Sequence, residues 1–166
     1  MMFNKLFGKK EVKKEETIVA PLTGKIVGIE EVPDPTFAQK MMGDGIAIEP
    51  TDGVVVSPVD GEIVQFFHTK HAIGIQSEAG AEILIHVGLE TVSMNGEGFE
   101  GHVNVGDKVK TGDKLLSFDL DLIKEKAAST VTPIVITNGD AVESLDKHAA
   151  SEATKGETSL LQIKMK

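Results

Sequence analysis

The chain has no cysteine, arginine, tryptophan or tyrosine. Each absence removes a class of chemistry. Without cysteine there are no disulfides, thiolate zinc sites, iron–sulfur clusters or thiol nucleophiles, so a reactive side chain has to offer oxygen or imidazole. Without arginine, no guanidinium can grip a phosphate or a base edge in two-point fashion. All 17 basic side chains are lysines, 26 carboxylates outnumber them to give a formal charge of −9, and only seven phenylalanines are present. No nucleic acid is expected as a partner, because neither a positive field nor enough stacking platforms exist. No apolar run approaches the ~18 residues of a membrane-spanning helix, and the start of the chain lacks the apolar stretch and small-residue cleavage site of a signal peptide. A cytoplasmic location is the expectation.

What is present is 166 residues, about one domain on a prior of roughly 100 to 200 residues each. Residues 1–16 read as a flexible basic N-terminal tail, with Lys5, Lys9, Lys10, Lys13 and Lys14 set against Glu11, Glu15 and Glu16. Met2, Phe3, Leu6 and Phe7 would share one helical face beside Lys9 and Lys10, so weak contact with an anionic membrane stands beside the reading of a solvated leader. Residues 17–166 contain no low-complexity linker and read as one compact domain.

That domain alternates short β-rich runs with Gly, Pro, Asp and Asn, and no helical period lasts four turns. The expected strands are Thr17–Glu31, Gly45–Ile48, Val54–Ser57, Glu62–Phe67, Ala72–Gln76, Glu82–Gly88, Lys114–Asp119, Thr132–Thr137 and Ser159–Lys164. Two short helical turns are expected, Pro35–Met42 capped by Asp34 and Leu122–Ala128 capped by Asp121. Val19–Val27 repeats as Val56–Val64 at an offset of 37, with five of nine positions identical. Each copy is an extended segment, a Pro-X-X-Gly turn and a strand. The fold class is all-β, an antiparallel β-sandwich or flattened barrel, with the two corners closing opposite sides.

The informative stretch is His68–Gly88, which reads as a hairpin. A two-residue Glu78-Ala79 loop pairs His71 with His86, Ile73 with Leu84 and Ile75 with Glu82. Directly opposed residues have Cβ atoms ~4.5–5.5 Å apart, so one small group could touch both imidazoles. A loop one residue longer puts the rings on opposite faces of a regular sheet. Ile83, Ile85 and Val87 alternate with His86 and should anchor it to the core. Three chemistries remain open at this stage. Metal binding would use His68, His71 and His86 and needs a further ligand. A serine triad would use Ser77 or Ser93, neither in a nucleophile-elbow context. The third uses histidine itself as nucleophile: a neutral imidazole can accept a phosphoryl group and pass it on, given a second donor for the phosphoryl oxygens and a dry rim.

Ala20–Gly24, Val32–Asp34, Phe37-Ala38, Gly43–Ile48, Pro58–Gly61, Thr69–Ala72, Ile85–Val92, Asn95–Phe99 and Ser129–Pro133 occur in this order. Together they resemble the glucose-family enzyme IIA of the bacterial phosphoenolpyruvate-dependent sugar phosphotransferase system, from about Ile18 to Lys164. The resemblance implies an antiparallel β-sandwich that takes a phosphoryl group from the carrier protein HPr and gives it to the cysteine of a sugar-specific enzyme IIB. By position it makes His86 the phosphorylated residue, attacking through Nε2. His71 becomes the residue that hydrogen-bonds the phosphoryl group, and Thr69 the hydroxyl assisting the pair. It puts Phe37, Met41, Met42, Phe67 and Val92 in an apolar docking ring, with Asp34 and Glu90 as acidic neighbours. It requires no cofactor and no resident metal, and it leaves open an interfacial zinc ion through His71 and His86. Lys70 and Glu90 depart from some relatives, which carry an amide and an aspartate there. With no cysteine acceptor of its own, the chain is expected to be a free-standing phosphocarrier. The rival reading is a regulatory binding module switched by histidine phosphorylation. A lipoyl-type carrier is disfavoured because residues 40–42 read Lys-Met-Met, the reverse of the attachment context. His68, three residues before His71, points away from the shared face of a regular strand and is left out of the site; His102 and His148 are assigned to the surface.

Overall fold

The computed structural model describes residues 14–148 and 150–166. Most of the expected tail, and with it the membrane-contact reading, lies outside the described residues. The first half of the strands comprises β1 (Glu15–Val19), β2 (Gly24–Gly28), β3 (Asp44–Pro50), β4 (Val54–Val56), β5 (Gly61–Phe66), β6 (Ala72–Ser77) and β7 (Glu82–His86). The second comprises β8 (Phe99–Gly101), β9 (Lys108–Val109), β10 (Lys114–Phe118), β11 (Thr132–Ile136), β12 (Val142–Lys147), β13 (Glu152–Ala153) and β14 (Ser159–Met165). The helices α1 (Pro35–Ala38) and α2 (Leu120–Lys126) are one and two turns long. Among the described residues no helix is long and apolar enough to cross a membrane.

The strands form an antiparallel sandwich. An eight-stranded sheet runs β13-β2-β3-β11-β7-β6-β5-β9, and two three-stranded sheets run β1-β14-β12 and β4-β10-β8. This order is unchanged when β1, β2, β3, β11, β12, β13 and β14 are exchanged for β4, β5, β6, β7, β8, β9 and β10. The chain is therefore two similar seven-stranded halves, the second inserted between β3 and β11. The nine-residue repeat marks the start of each half. Its corners do not close opposite sides of the sandwich as expected, because they bond to each other: Val19 N donates to Pro58 O at 3.1 Å and Val56 N to Pro21 O at 2.9 Å.

Alternation along the central strands feeds two cores. Ile46, Ile48, Ile73, Ile75, Ile83, Ile85, Ile134 and Ile136 face the main cluster beneath the small sheets. Ala47, Ala72, Leu84 and Val135 face the other side, where Ile29, Val32 and Phe37 of the 29–38 segment cover them. This second, smaller layer carries the site.

Several expected boundaries move. β1 takes in Glu15 and Glu16, so pairing starts before residue 17. Thr17–Glu31 is two strands in different sheets, since Pro21 has no N–H for a ladder and the chain turns there. Helix α1 stops at Ala38, and Lys40 takes a left-handed φ of 62° beyond it. Helix α2 starts directly after β10, so its cap is Asp119, whose carboxylate accepts from Leu122 N at 3.1 Å; Asp121 falls in the first turn. The β6–β7 loop holds three residues, Glu78–Gly80, rather than two. Ser77 N donates to Ala81 O, Gly80 N donates to Ser77 O, and Gly80 supplies the φ of +99° that such a loop needs. The register therefore pairs Ala72 with His86, Ile73 with Ile85 and Gly74 with Leu84. The direct pairing of His71 with His86 is overturned.

A histidine pair as the candidate active site

His86 ends β7 on the face it shares with Leu84. By alternation alone the true register would send His71 to the other side of the sheet. It does not, because His71 precedes β6 and escapes its pleat. Phe67–Lys70 form a tight turn in which Lys70 N donates to Phe67 O at 2.7 Å and Lys70 takes φ 62°. His71 leaves this turn and accepts Val87 N on its carbonyl at 2.7 Å, which holds it beside the end of β7. The two ring centroids lie 4.9 Å apart at 79°, an edge-to-face pair.

Each ring is held through Nδ1. The His86 contact is to Gly88 O at 2.8 Å. A carbonyl only accepts, so the proton sits on Nδ1 and Nε2 keeps its lone pair. Gly88 has φ 73°, and a Cβ there would lie 2.7 Å from Thr91 Cγ2 and 2.9 Å from Ser129 O, so glycine is required to bring that carbonyl round. Sequence reasoning missed this role; the available signal was a glycine two residues past the histidine. His71 Nδ1 lies 2.6 Å from Thr69 Oγ1, both residues being buried.

Burial, then the proximity of His86 and of His68, pushes His71 down to about 4. Burial also lowers His86, opposed by its hydrogen bond to Gly88 and by the negative charge of Asp34. Both rings are neutral at pH 7. The structure thus brings together His86, His71 and Thr69, with His68 exposed nearby.

The surrounding wall is apolar. Phe37 stands 5.2 Å from His86 and Phe67 stands 5.4 Å from His71, centroid to centroid. Met41 is 70% exposed and Val92 55%, Met42 and Phe67 are less exposed, and Phe37 is buried at 4%. Asp34 caps α1 by accepting from Thr36 N at 2.9 Å, so it serves the helix and biases His86 together. Glu90 is exposed and takes φ 62° at the start of the turn Thr91–Met94. Ser77 lies at the far end of the β6–β7 hairpin from His86, its hydroxyl accepting from Ala81 N, and Ser93 donates to Glu90 O, so neither supports a serine triad. Among the described residues no three His, Cys, Asp or Glu side chains form a metal-ligand group. His71 and His86 alone leave two Nε2 atoms, short of the three or four protein ligands zinc takes.

An antiparallel sandwich that holds two neutral imidazoles edge to face, flanked by Phe37 and Phe67, has the parts of a histidine group-transfer site. The chain belongs to the EIIA 1 family of the phosphoenolpyruvate-dependent sugar phosphotransferase system, whose model matches residues 16–142. It is 68% identical over 165 residues to the glucose-specific EIIA component of Bacillus cereus, covering 99% of this chain and 100% of that protein. The corresponding component of Halalkalibacterium halodurans is 61% identical over 171 residues, covering 99% of each. The solved glucose permease IIA of Mycoplasma capricolum superposes with a TM-score of 0.84 at 39% identity, covering 92% of this chain and 98% of that one. The chain is a phosphocarrier component in sugar phosphotransfer, working between other carrier and sugar-specific components.

Proposed function

We propose that His86 Nε2 accepts the phosphoryl group of phospho-HPr and hands it to the cysteine of an enzyme IIB in the cytoplasm. The observation that carries this reading is the His86 Nδ1–H bond to Gly88 O, which leaves a lone pair on Nε2 with no prior deprotonation. In the first step the P–N bond of the donor histidine breaks as the P–Nε2 bond forms; in the second the P–Nε2 bond breaks as the thiolate takes the phosphoryl group. Thr69 donates its hydroxyl hydrogen to His71 Nδ1, so the His71 proton resides on Nε2 and hydrogen-bonds a phosphoryl oxygen. Phe37, Phe67, Met41, Met42 and Val92 exclude water from the labile P–N bond. Asp34 and Glu90 attract basic partners. The relatives' names point to a permease of the glucose type. No step needs a metal; a zinc ion at this face would take His71 and His86 as two ligands and require the rest from a partner.

The test incubates the chain with phosphoenolpyruvate, enzyme I and HPr, and assays for an acid-labile, base-stable phosphate. His86→Gln should abolish labelling. His71→Gln should still be labelled but transfer to enzyme IIB at least tenfold more slowly. The reverse pattern would overturn the assignment.

A further inference from the structure

Two Asn-Gly pairs occur in the chain, Asn95-Gly96 and Asn138-Gly139. In this dipeptide the backbone nitrogen can attack the side-chain amide, because glycine has no Cβ to shield it. The fold treats the two pairs differently. Asn138 is half-buried and its amide is held at both ends: Oδ1 accepts from Glu82 N at 2.8 Å and Nδ2 donates to Gly80 O at 2.9 Å. Asn95 is exposed. It takes φ 55° and Gly96 takes φ 85°, and Glu97 N donates to Met94 O at 3.0 Å, which closes a type I′ turn over them. Both central positions of such a turn need positive φ, so the turn favours the pair that is chemically labile. Neither the Asn95 amide nor Gly96 N has a hydrogen-bond partner among the described residues. Electrophile and nucleophile are therefore adjacent and untied.

The turn lies against the loop that positions His71. A Cβ built on Gly96 would stand 3.6 Å from Thr69 O and 3.8 Å from Thr69 Cα, so the two backbones pack together. Thr69 Oγ1 lies in turn 2.6 Å from His71 Nδ1.

We propose that Asn95 is a site of spontaneous deamidation and isomerisation, and that the change reaches His71 through Thr69. Gly96 N attacks Asn95 Cγ and loses its proton as the new C–N bond forms, and the side-chain nitrogen leaves as ammonia. Water then opens the five-membered imide. Breaking the bond from Gly96 N to Cγ gives aspartate. Breaking the bond from Gly96 N to the Asn95 carbonyl carbon gives isoaspartate, whose backbone runs through the side chain and is longer by a methylene. Either product adds a negative charge to a chain of formal charge −9. The longer backbone cannot keep the type I′ geometry, so Gly96 shifts against Thr69. Only water is consumed, and the inference stands independently of the relay reading.

The experiment ages the full chain for several weeks at mildly alkaline pH, once folded and once in concentrated guanidinium chloride, and then cleaves after lysine. Asn95 falls in the peptide His71–Lys108 and Asn138 in Ala127–Lys147. Fragmentation of the first peptide separates Asn95 from Asn104. In the folded chain Asn95 should convert to aspartate and isoaspartate at least tenfold faster than Asn138, and in guanidinium chloride the two rates should agree within threefold. NMR of the aged folded chain should show displaced Thr69 amide and His71 ring signals. Asn95→Gln, which cannot close a five-membered ring, should keep its original signals over the same time. Equal rates in the folded chain would overturn the site. Conversion at Asn95 with Thr69 and His71 signals unmoved would overturn the transmission to His71.

Discussion

His71 should make this protein acid-sensitive in a way that one substitution removes. Its ring is neutral when folded because burial and two neighbouring imidazoles hold its pKa at about 4, against an ordinary 6.5. The residue is only 3% exposed, so solvent does little to screen the effect. Between those two pKa values the unfolded chain binds a proton that the folded chain refuses, so stability falls as pH drops below 6.5 and stops falling, for this group, below about 4. Each pH unit in that window is worth about 1.4 kcal/mol, so His71 alone should cost about 2 kcal/mol by pH 5 and about 3 kcal/mol by pH 4. His71→Gln has nothing there to titrate. Urea unfolding of both chains at pH 7, 6 and 5 should show the parent losing about 2 kcal/mol more than the variant across that range, with equal m-values. Parallel stability profiles would refute the buried neutral ring, and an NMR titration placing the His71 pKa at its ordinary value would do so directly. Phosphate acceptance should also persist at pH 6.5, because His86 is itself depressed.

Two substitutions test how the nucleophile is presented and sheltered. Gly88→Ala forces a side chain into a left-handed position against Thr91 and Ser129, which should cost about 2–4 kcal/mol in urea unfolding and slow single-turnover labelling of His86 at least tenfold; labelling at the parental rate would separate the Gly88 carbonyl from the chemistry. Phe37→Ala removes the buried ring beside His86 and should destabilise by about 3 kcal/mol, while shortening the half-life of phospho-His86 in the absence of acceptor. An unchanged half-life would deny Phe37 any part in excluding water.

The central strands are readable because their isoleucines recur with period two across smaller residues, as in Ile46-Ala47-Ile48 and Ile73-Gly74-Ile75. β12 is not, since Val142–Lys147 is an edge strand with no buried face to leave a period-two trace. β13 and β9 are two-residue pairings too short to carry a pattern. The β6–β7 register depends on whether Gly80 belongs to the loop or the strand, and its positive φ decides for the loop. His71 and His86 nonetheless meet under a register other than the expected one, because the Phe67–Lys70 turn frees His71 from the alternation that would have separated it. That turn and the Gly88 carbonyl are backbone features, and backbone direction at an isolated lysine or glycine leaves little trace in residue type. Asp34 reads both as a cap and as a neighbour of His86, and it is both.

Because the second half of the molecule is spliced into the first, both imidazoles are synthesised well before the strand that closes over their sheet. β7 and β6 can pair as soon as they emerge, but β11 must arrive to bridge β7 and β3, and β14 must return to β1. Phe37 waits on the early side of that splice and Val135 on the late side, and both pack in the layer that houses His86. An unfinished chain would own both imidazoles without the layer that packs around them, so their shelter is completed only by the final closure.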